Sequence, residues 1–310
     1  MVVKSKKVYL MVCGQVFDGK QRDWLKNMPE LGIIANVEPV FVFEKNSADI
    51  TPEIWIKLAE EINSRIDEAS GFVVLHGIDN ILYTASVLSF LLQNLIRPIV
   101  FTGGQLKPVG NKKIDIRANI INAAQAASFE FSEIGLMFGN RLLRANQASR
   151  SSDDSLNIFV TPPSGILGRI DFSIRIFDKV VHKNKGKTKL YSELNNNIEI
   201  VKVGPTLSLK DLAKRLADRD GVIVKAGKYE SLPADLMFLL EKVTKDTPVV
   251  IWSKVLEHSV MAPKNFLLVN NMTWEATLTK FMWVLAQTNS LKKVKELMSQ
   301  DLAGEILEWT

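Results

Sequence analysis

Cysteine and histidine are scarce in this chain of 310 residues. The single cysteine, Cys13, excludes an intrachain disulfide and a cysteine-based zinc cluster. The three histidines, His76, His182 and His258, lie far apart and lack the spacing of metal ligands. The sequence therefore predicts a protein with no bound metal ion and no other cofactor.

Long apolar runs are also missing. The longest one, residues 81–101, is interrupted by polar side chains at Gln93, Asn94 and Arg97. A membrane-spanning helix needs about 20 predominantly apolar residues, so this run predicts no such helix. The run Val8–Cys13 is too short for the core of a signal peptide. We therefore expect a cytoplasmic protein with no membrane partner.

Charge is abundant but evenly distributed. The chain has 39 Lys and Arg against 34 Asp and Glu, a net charge of +5, with 24% charged and 46% hydrophobic residues. This composition is typical of a globular protein rather than of a disordered or coiled-coil chain. The lysines between 183 and 189 have no interleaved aromatic residues, and no glycine-rich phosphate motif is present. Nucleic acid is therefore not an expected partner.

Short apolar runs alternate with amphipathic segments in the first part of the chain. Val8–Cys13, Gly71–Leu75 and Pro98–Thr102 are rich in apolar and β-branched residues, which predicts buried strands. A helix is predicted to begin at Thr51-Pro52, and another over Asp115–Ser128. The alternation predicts an α/β fold with a parallel sheet covered by helices.

The pattern restarts after a polar, turn-rich stretch at 181–197. We predict a larger N-terminal parallel-sheet domain over residues 1–190, a linker over 191–206 and a smaller C-terminal α/β domain over 207–310. Within the second domain the same signals predict two strands, Gly221–Lys225 and Pro248–Trp252, and three helices: Ala234–Lys242, Glu275–Gln287 and Leu291–Gln300.

Several strings resemble one family. GFVVLHGIDNILYTASVLSFLLQNLIRPIVFTGGQ at Gly71–Gln105 is similar to the signature HGTDT-x-x-YTASALSF and TGSQ of the asparaginase/glutaminase family, especially its cytoplasmic, type I bacterial branch. MTWEATLTK at Met272–Lys280 and MSQDLAGEI at Met298–Ile306 resemble MTVEATLTK and MSQNLRGEL of the same family. The resemblance implies two α/β domains, and subunits that assemble as homodimers or homotetramers.

The position of the family's nucleophile has lost its hydroxyl. The family's motif T-G-G-T-I, whose second Thr attacks the side-chain amide, aligns without a gap on CGQVF at Cys13–Phe17. The nucleophile position is then Val16, and a slip by one residue would instead place Gln15 there. Neither side chain can form an acyl-enzyme intermediate.

The residues that move protons in the family are also replaced. The second catalytic Thr of the motif HGTDT falls at Ile78, and the catalytic Lys falls at Arg150, while the Asp is kept as Asp79. A buried lysine can give up its proton and act as a base, whereas an arginine stays protonated. The resemblance therefore implies a catalytic set that has lost its chemistry.

The positions that hold the substrate are better preserved. The family's serine for the substrate α-carboxylate corresponds to Ser47, and its acid for the α-ammonium corresponds to Asp79. The backbone amides of Gly14 and Gly77 are candidates for lining an anion-binding turn. A residual amino-acid pocket follows from this interpretation. The alternative is that Ser47 and Asp79 remain only as turn and strand-end residues.

Two functions follow from these substitutions. The first is an asparaginase homologue that is catalytically impaired or inactive and binds a small amino acid or a protein partner. The second is an active L-asparagine or L-glutamine amidohydrolase with a rearranged nucleophile, for which Cys13 is the candidate. The sequence leaves open whether the protein is an enzyme.

Overall fold

The computed structural model describes residues 6–14, 28–104, 116–151, 158–171, 173–181, 184, 186–228, 232–243, 247–255, 263 and 266–308. The chain divides into two compact units, which agrees with two α/β domains. The first unit is Met1–Ser192 with Leu307–Thr310, and the second is Glu193–Ile306.

The strands of the first unit are β1 (Lys7–Cys13), β2 (Asn36–Phe43), β3 (Gly71–Leu75), β4 (Leu92–Gln93), β5 (Ile99–Thr102), β6 (Ile134–Phe138), β7 (Arg141–Arg144), β8 (Ser149–Arg150), β9 (Phe159–Val160), β10 (Ile166–Ile170), β11 (Ile174–Ile176) and β12 (Lys189–Leu190). Eight of them form one sheet with the order β11-β10-β7-β6-β5-β3-β1-β2. Within this sheet, β2, β1, β3, β5 and β6 pair in parallel with their neighbours. Strands β6, β7, β10 and β11 pair antiparallel. Strands β4 and β12, and strands β8 and β9, form two small ladders.

Four helices accompany this sheet: α1 (Pro29–Ile34), α2 (Pro52–Asn63), α3 (Ile81–Leu91) and α4 (Ile116–Ala127). Helix α2 begins directly after Thr51 because proline is well suited to the first helical position. Its residues Leu58 and Ile62, one turn apart, are both fully buried. The alanines of α4 pack on the apolar side chains of β1 and β3 in a hydrophobic core of this unit. Burial of both sheet faces explains why β1, β3, β5 and β6 are almost continuously apolar.

The second unit has a four-stranded parallel sheet with the order β13-β14-β15-β16. Its core includes Val201, Val224 and Ile251 from the strands, and Leu212 and Leu240 from the helices. The elements are β13 (Ile198–Lys202), α5 (Leu209–Leu216), β14 (Gly221–Lys228), α6 (Ala234–Val243), β15 (Val249–Val255), β16 (Phe266–Val269), α7 (Trp274–Gln287) and α8 (Leu291–Ser299).

One sequence prediction needs correction. The predicted linker 191–206 is wrong over Ile198–Lys202, because these residues form strand β13 and bury Val201 in the second core. The larger sheet is dominated by parallel strands, as predicted, and β7, β10 and β11 add an antiparallel side. Within the described residues, no helix is both long and apolar enough to cross a membrane.

Candidate active site

The candidate site lies where β1, β2 and β3 end. These strands are neighbours and run parallel, so their carboxyl ends meet at one edge of the sheet, where open α/β folds bind ligands. At the end of β1, Gly14 adopts a φ of 101°, a conformation that favours glycine. Its N–H donates to the carbonyl of Phe43 at 2.9 Å. This amide is therefore not free for the predicted anion binding, because it already donates its hydrogen bond to the Phe43 carbonyl.

Ser47 and Gly77 lie against each other at this edge. Ser47 is buried in a short 3-10 turn, Ser47–Asp49, after β2. A Cβ at residue 77 would lie 2.5 Å from Ser47 Oγ, which only a glycine avoids. The side-chain amide of Asn80 donates to the Ser47 carbonyl at 2.7 Å and ties the two loops together. The structure thus brings together two of the predicted ligand-binding residues.

His76, the residue before Gly77, holds this loop through contacts of its ring nitrogens. It is fully buried; its Nδ1 lies 2.7 Å from the Gly77 carbonyl and its Nε2 lies 3.0 Å from Thr84 Oγ1. Contact with a carbonyl makes Nδ1 the protonated nitrogen. Burial lowers the pKa of His76 from 6.5 to about 4, so the ring is neutral at neutral pH. Trp55 Nε1 donates to Thr84 Oγ1 at 2.9 Å and completes the network.

Asp79 and Arg150 form an exposed ion pair. Arg150 Nη1 lies 3.8 Å from Asp79 Oδ1, and the side chains are 63% and 70% exposed. The two residues come from different parts of the chain, since Asp79 lies in the loop after β3 and Arg150 in strand β8. The structure therefore brings together the two residues that the resemblance aligns with the family's Asp and Lys, and the cation is a guanidinium, which stays protonated.

The remaining predicted catalytic positions contribute no described nucleophile. Ile78 is half-buried and offers only an aliphatic side chain beside Asp79. Val16 and its alternative, Gln15, lie outside the described residues. Cys13 is fully buried at the end of β1, and burial raises the pKa of its thiol, which keeps the sulfur protonated and poorly nucleophilic.

The support residues are harder to find in the sequence. Asn80, Thr84 and Trp55 hold the site through side-chain hydrogen bonds, yet none of them stands out by type or spacing. A lone histidine at a strand end indicates a structural hydrogen-bonding residue, and the burial and two partners of His76 support that interpretation. Among the residues that the structure describes, no group of three His, Cys, Asp or Glu could hold a metal ion.

Comparison with known proteins identifies the class of protein to which this fold and the site at the edge of its sheet belong. The profile of the family "Asparaginase, N-terminal" matches residues 12–182. L-asparaginase 1 of Escherichia coli K12 is 30% identical over 278 residues, which cover 84% of this chain and 82% of that protein. The chain belongs to the asparaginase family.

Other relatives extend the comparison. One subunit of the glutamyl-tRNA(Gln) amidotransferase of Pyrococcus furiosus is 28% identical over 312 residues, covering 92% of this chain and 70% of that protein. The crystal structure of L-asparaginase I from Vibrio cholerae has a TM-score of 0.83 at 26% identity and covers 98% of this chain and 100% of that one. The two-domain α/β fold implied by the sequence is thereby confirmed.

Proposed function

We propose that this chain is an asparaginase-family protein that no longer hydrolyses amides and retains a pocket for a small amino acid. One observation carries the proposal: Arg150, which the family resemblance aligns with the proton-transferring lysine, pairs with Asp79 at 3.8 Å, beside the hydroxyl-free Ile78. Amide hydrolysis requires a nucleophile and a group that shuttles protons. An aliphatic side chain and a permanently charged guanidinium provide neither.

The ligand pocket rests on Ser47, Gly77 and Asp79. A free amino acid offers a carboxylate, which hydroxyl groups bind, and an ammonium, which carboxylates bind. Ser47 Oγ faces the loop at Gly77, and the Asp79 carboxylate lies two residues further on. Because the contact of Asp79 with Arg150 is long and largely exposed, this carboxylate can turn towards a ligand at little cost.

A rearranged amidohydrolase is the second candidate. It needs a replacement nucleophile, and Cys13 is the predicted one. Burial of the whole side chain and the raised pKa of the thiol weigh against this function, since a thiolate is the reactive species. No described histidine activates the sulfur, because both ring nitrogens of His76, the one described histidine, are engaged by Gly77 and Thr84.

We also propose that the protein is cytoplasmic and assembles as a homodimer or homotetramer, as the family resemblance implies. The single cysteine, which is buried, is compatible with a reducing compartment. Sedimentation of the purified chain tests the assembly, and a monomer at micromolar concentration would contradict it.

Ammonia release from L-asparagine and L-glutamine tests the proposed loss of activity. We expect the purified chain to release no ammonia above the blank. If it does turn over, Cys13→Ala discriminates the two functions: loss of turnover in that variant would establish the rearranged nucleophile. Turnover that survives the substitution would contradict both candidates.

Calorimetry with L-aspartate tests the retained pocket. We expect weak binding that Asp79→Asn reduces by about tenfold, the loss expected for one charge-assisted hydrogen bond. Asp49→Asn, an exposed acid in the neighbouring 3-10 turn, is the matched control and should bind as the wild type does. No binding by the wild type would show that Ser47 and Asp79 serve only the loops.

A further inference from the structure

Three arginines form a row across the antiparallel side of the large sheet. In the strand register, Arg169 of β10 lies directly opposite Arg141 of β7 and directly opposite Arg175 of β11. Residues that are directly opposite in antiparallel strands project from the same face. With strands about 4.8 Å apart, the row spans about 10 Å. We call these three residues the arginine row.

The arginine row is accessible and has no acidic partner among the described residues. Arg169 and Arg175 are exposed and Arg141 is half-buried. In the part of the chain that the structure describes, none of the three donates a side-chain hydrogen bond or forms an ion pair. The nearest acid in sequence, Asp171, accepts from Asn140 at 3.5 Å instead.

The cost of this arrangement requires an explanation. Like charges directly opposite each other in a sheet are destabilising. A charge on an edge strand can guard that edge against pairing with other chains, which accounts for Arg175 in the terminal strand β11. Arg141 and Arg169 lie on interior strands, where no edge needs protection. An anion bound across the row would remove the repulsion at all three positions.

We propose that the arginine row binds an acidic segment of a partner polypeptide. A run of Asp and Glu side chains supplies planar carboxylates, and guanidinium groups bind these bidentately. Successive carboxylates on one face of an extended segment are about 7 Å apart, and on successive helical turns about 6 Å, within reach of arginine side chains spaced at about 4.8 Å. The surface thus adds a protein-binding role that is independent of amide hydrolysis.

Charge and composition favour a polypeptide over a nucleic acid. Binding of single-stranded nucleic acid combines basic residues with exposed aromatic rings on which bases stack. The described aromatic residue in register with the row, Phe138 opposite Arg141, is buried and packs against Phe159 at 4.8 Å between ring centroids. Its ring face is therefore closed to a base, whereas carboxylates need only the guanidinium groups.

The test uses the full chain and a fluorescein-labelled hexaglutamate peptide, followed by fluorescence anisotropy at low salt. We expect saturable binding that weakens as salt rises. Arg169→Gln should weaken the affinity by about fivefold, the effect expected for one exposed charge pair. The matched control is Lys202→Gln, which removes the same charge from an exposed position on β13 and should leave the affinity unchanged.

A second variant separates binding from folding. Arg169→Glu places an acid between Arg141 and Arg175, so it should raise the melting temperature and abolish peptide binding. A wild-type chain that does not bind the peptide, or that loses equal affinity through Lys202→Gln, would overturn the proposal. Tighter binding of a hexathymidylate than of hexaglutamate would assign the surface to nucleic acid and would also overturn it.

Discussion

The two ion pairs Arg150–Asp79 and Lys280–Glu305 differ in distance, in burial and in hydrogen bonding. At the candidate site, Arg150 and Asp79 are 3.8 Å apart and more than half exposed. In the second unit, Lys280 and Glu305 are 2.5 Å apart and fully buried. Lys280 also donates to the carbonyls of Met298 and Gln300. Removing one partner of the buried pair would leave an uncompensated buried charge, whereas the exposed pair lies at positions that resemble the family's catalytic ones and can be broken at little cost.

The comparison explains which family-like residues this chain keeps. The buried pair joins the strings MTWEATLTK and MSQDLAGEI, which resemble the family closely. Burial lowers the pKa of Lys280 and raises the pKa of Glu305, and their mutual attraction opposes both shifts. Losing one partner would leave a charge buried alone. Replacing a largely exposed side chain such as Arg150 has no comparable cost in stability, so the proposed loss of activity is compatible with an intact fold.

The largest effect is expected from breaking the buried pair. Lys280→Met should lower the free energy of unfolding by about 3–5 kcal/mol, because Glu305 would be buried without its cation. Urea denaturation measures this difference. The control is Lys293→Met, which breaks an exposed pair with Glu296 and should cost at most about 0.5 kcal/mol.

A double variant sharpens the same test. Lys280→Met combined with Glu305→Leu removes both charges and should recover part of the stability, since no charge stays buried alone, although the carbonyls of Met298 and Gln300 still lose their donor. Equal costs for Lys280→Met and Lys293→Met would show that the buried and exposed pairs do not differ as described.

His76 should make stability depend on pH. Its pKa is about 4 in the folded protein and 6.5 in the unfolded chain, so the unfolded state binds the proton more readily. Above pH 6.5 the histidine is neutral in both states and does not lower the free energy of unfolding. As the pH falls towards 4, protonation of the unfolded chain lowers the free energy of unfolding. Between pH 7 and pH 4.5 the loss is about 2–3 kcal/mol.

The matched variant for this prediction is His76→Gln, which keeps a polar side chain and removes the titration. Denaturation of both proteins at pH 7 and pH 4.5 isolates the histidine from the carboxylates, which are common to both. Parallel pH profiles for the two proteins would contradict the assignment of His76 as a buried neutral ring.

The close approach at Gly77 should also be measurable. Gly77→Ala places a methyl group 2.5 Å from Ser47 Oγ and should destabilise the protein by about 1–3 kcal/mol through overpacking. Gly186→Ala is the control, because no heavy atom lies within 4 Å of the added carbon. If Ser47→Gly restores stability to Gly77→Ala, the clash is confirmed as local; if it does not, the contact is not the cause.

The smallest effect is expected at the exposed pair. Asp79→Asn should change the free energy of unfolding by less than about 1 kcal/mol, because both charges remain solvated when the pair is broken. Thermal denaturation at two salt concentrations is sufficient. A loss as large as that of Lys280→Met would mean that Asp79 is a structural residue rather than a ligand-binding one.

Strongly patterned elements can be predicted from the sequence. The predicted strand Gly71–Leu75 has the observed bounds of β3, because a continuous apolar run between a glycine and polar residues has few alternatives. The antiparallel strands β7, β10 and β11 escape prediction, since their sequences RLLR, ILGRI and IRI are short and interrupted by arginines rather than continuously apolar. Strand β13 resembles a linker because asparagines precede it and only two of its five residues are buried.

For the candidate site, the sequence predicts which residues belong to it but not which contacts they make. The resemblance to the family places Ser47, Gly77, Asp79 and Arg150 in one site, and the structure brings them together in two contacts, Ser47 with Gly77 and Asp79 with Arg150. The hydrogen bonds that support these residues depend on the directions of side chains, which the spacing of residues in the sequence does not encode. The pairing of Lys280 with Glu305 escapes prediction for the same reason, because each residue alone resembles a surface charge.

The most direct test of the central claim is ammonia release by the triple variant Val16→Thr, Ile78→Thr, Arg150→Lys beside the wild type. The account predicts a silent wild type and a variant that hydrolyses L-asparagine, because the hydroxyls and the proton-transferring amine return to a scaffold that still holds the ligand. Turnover by the wild type at the rate of the triple variant would contradict the account.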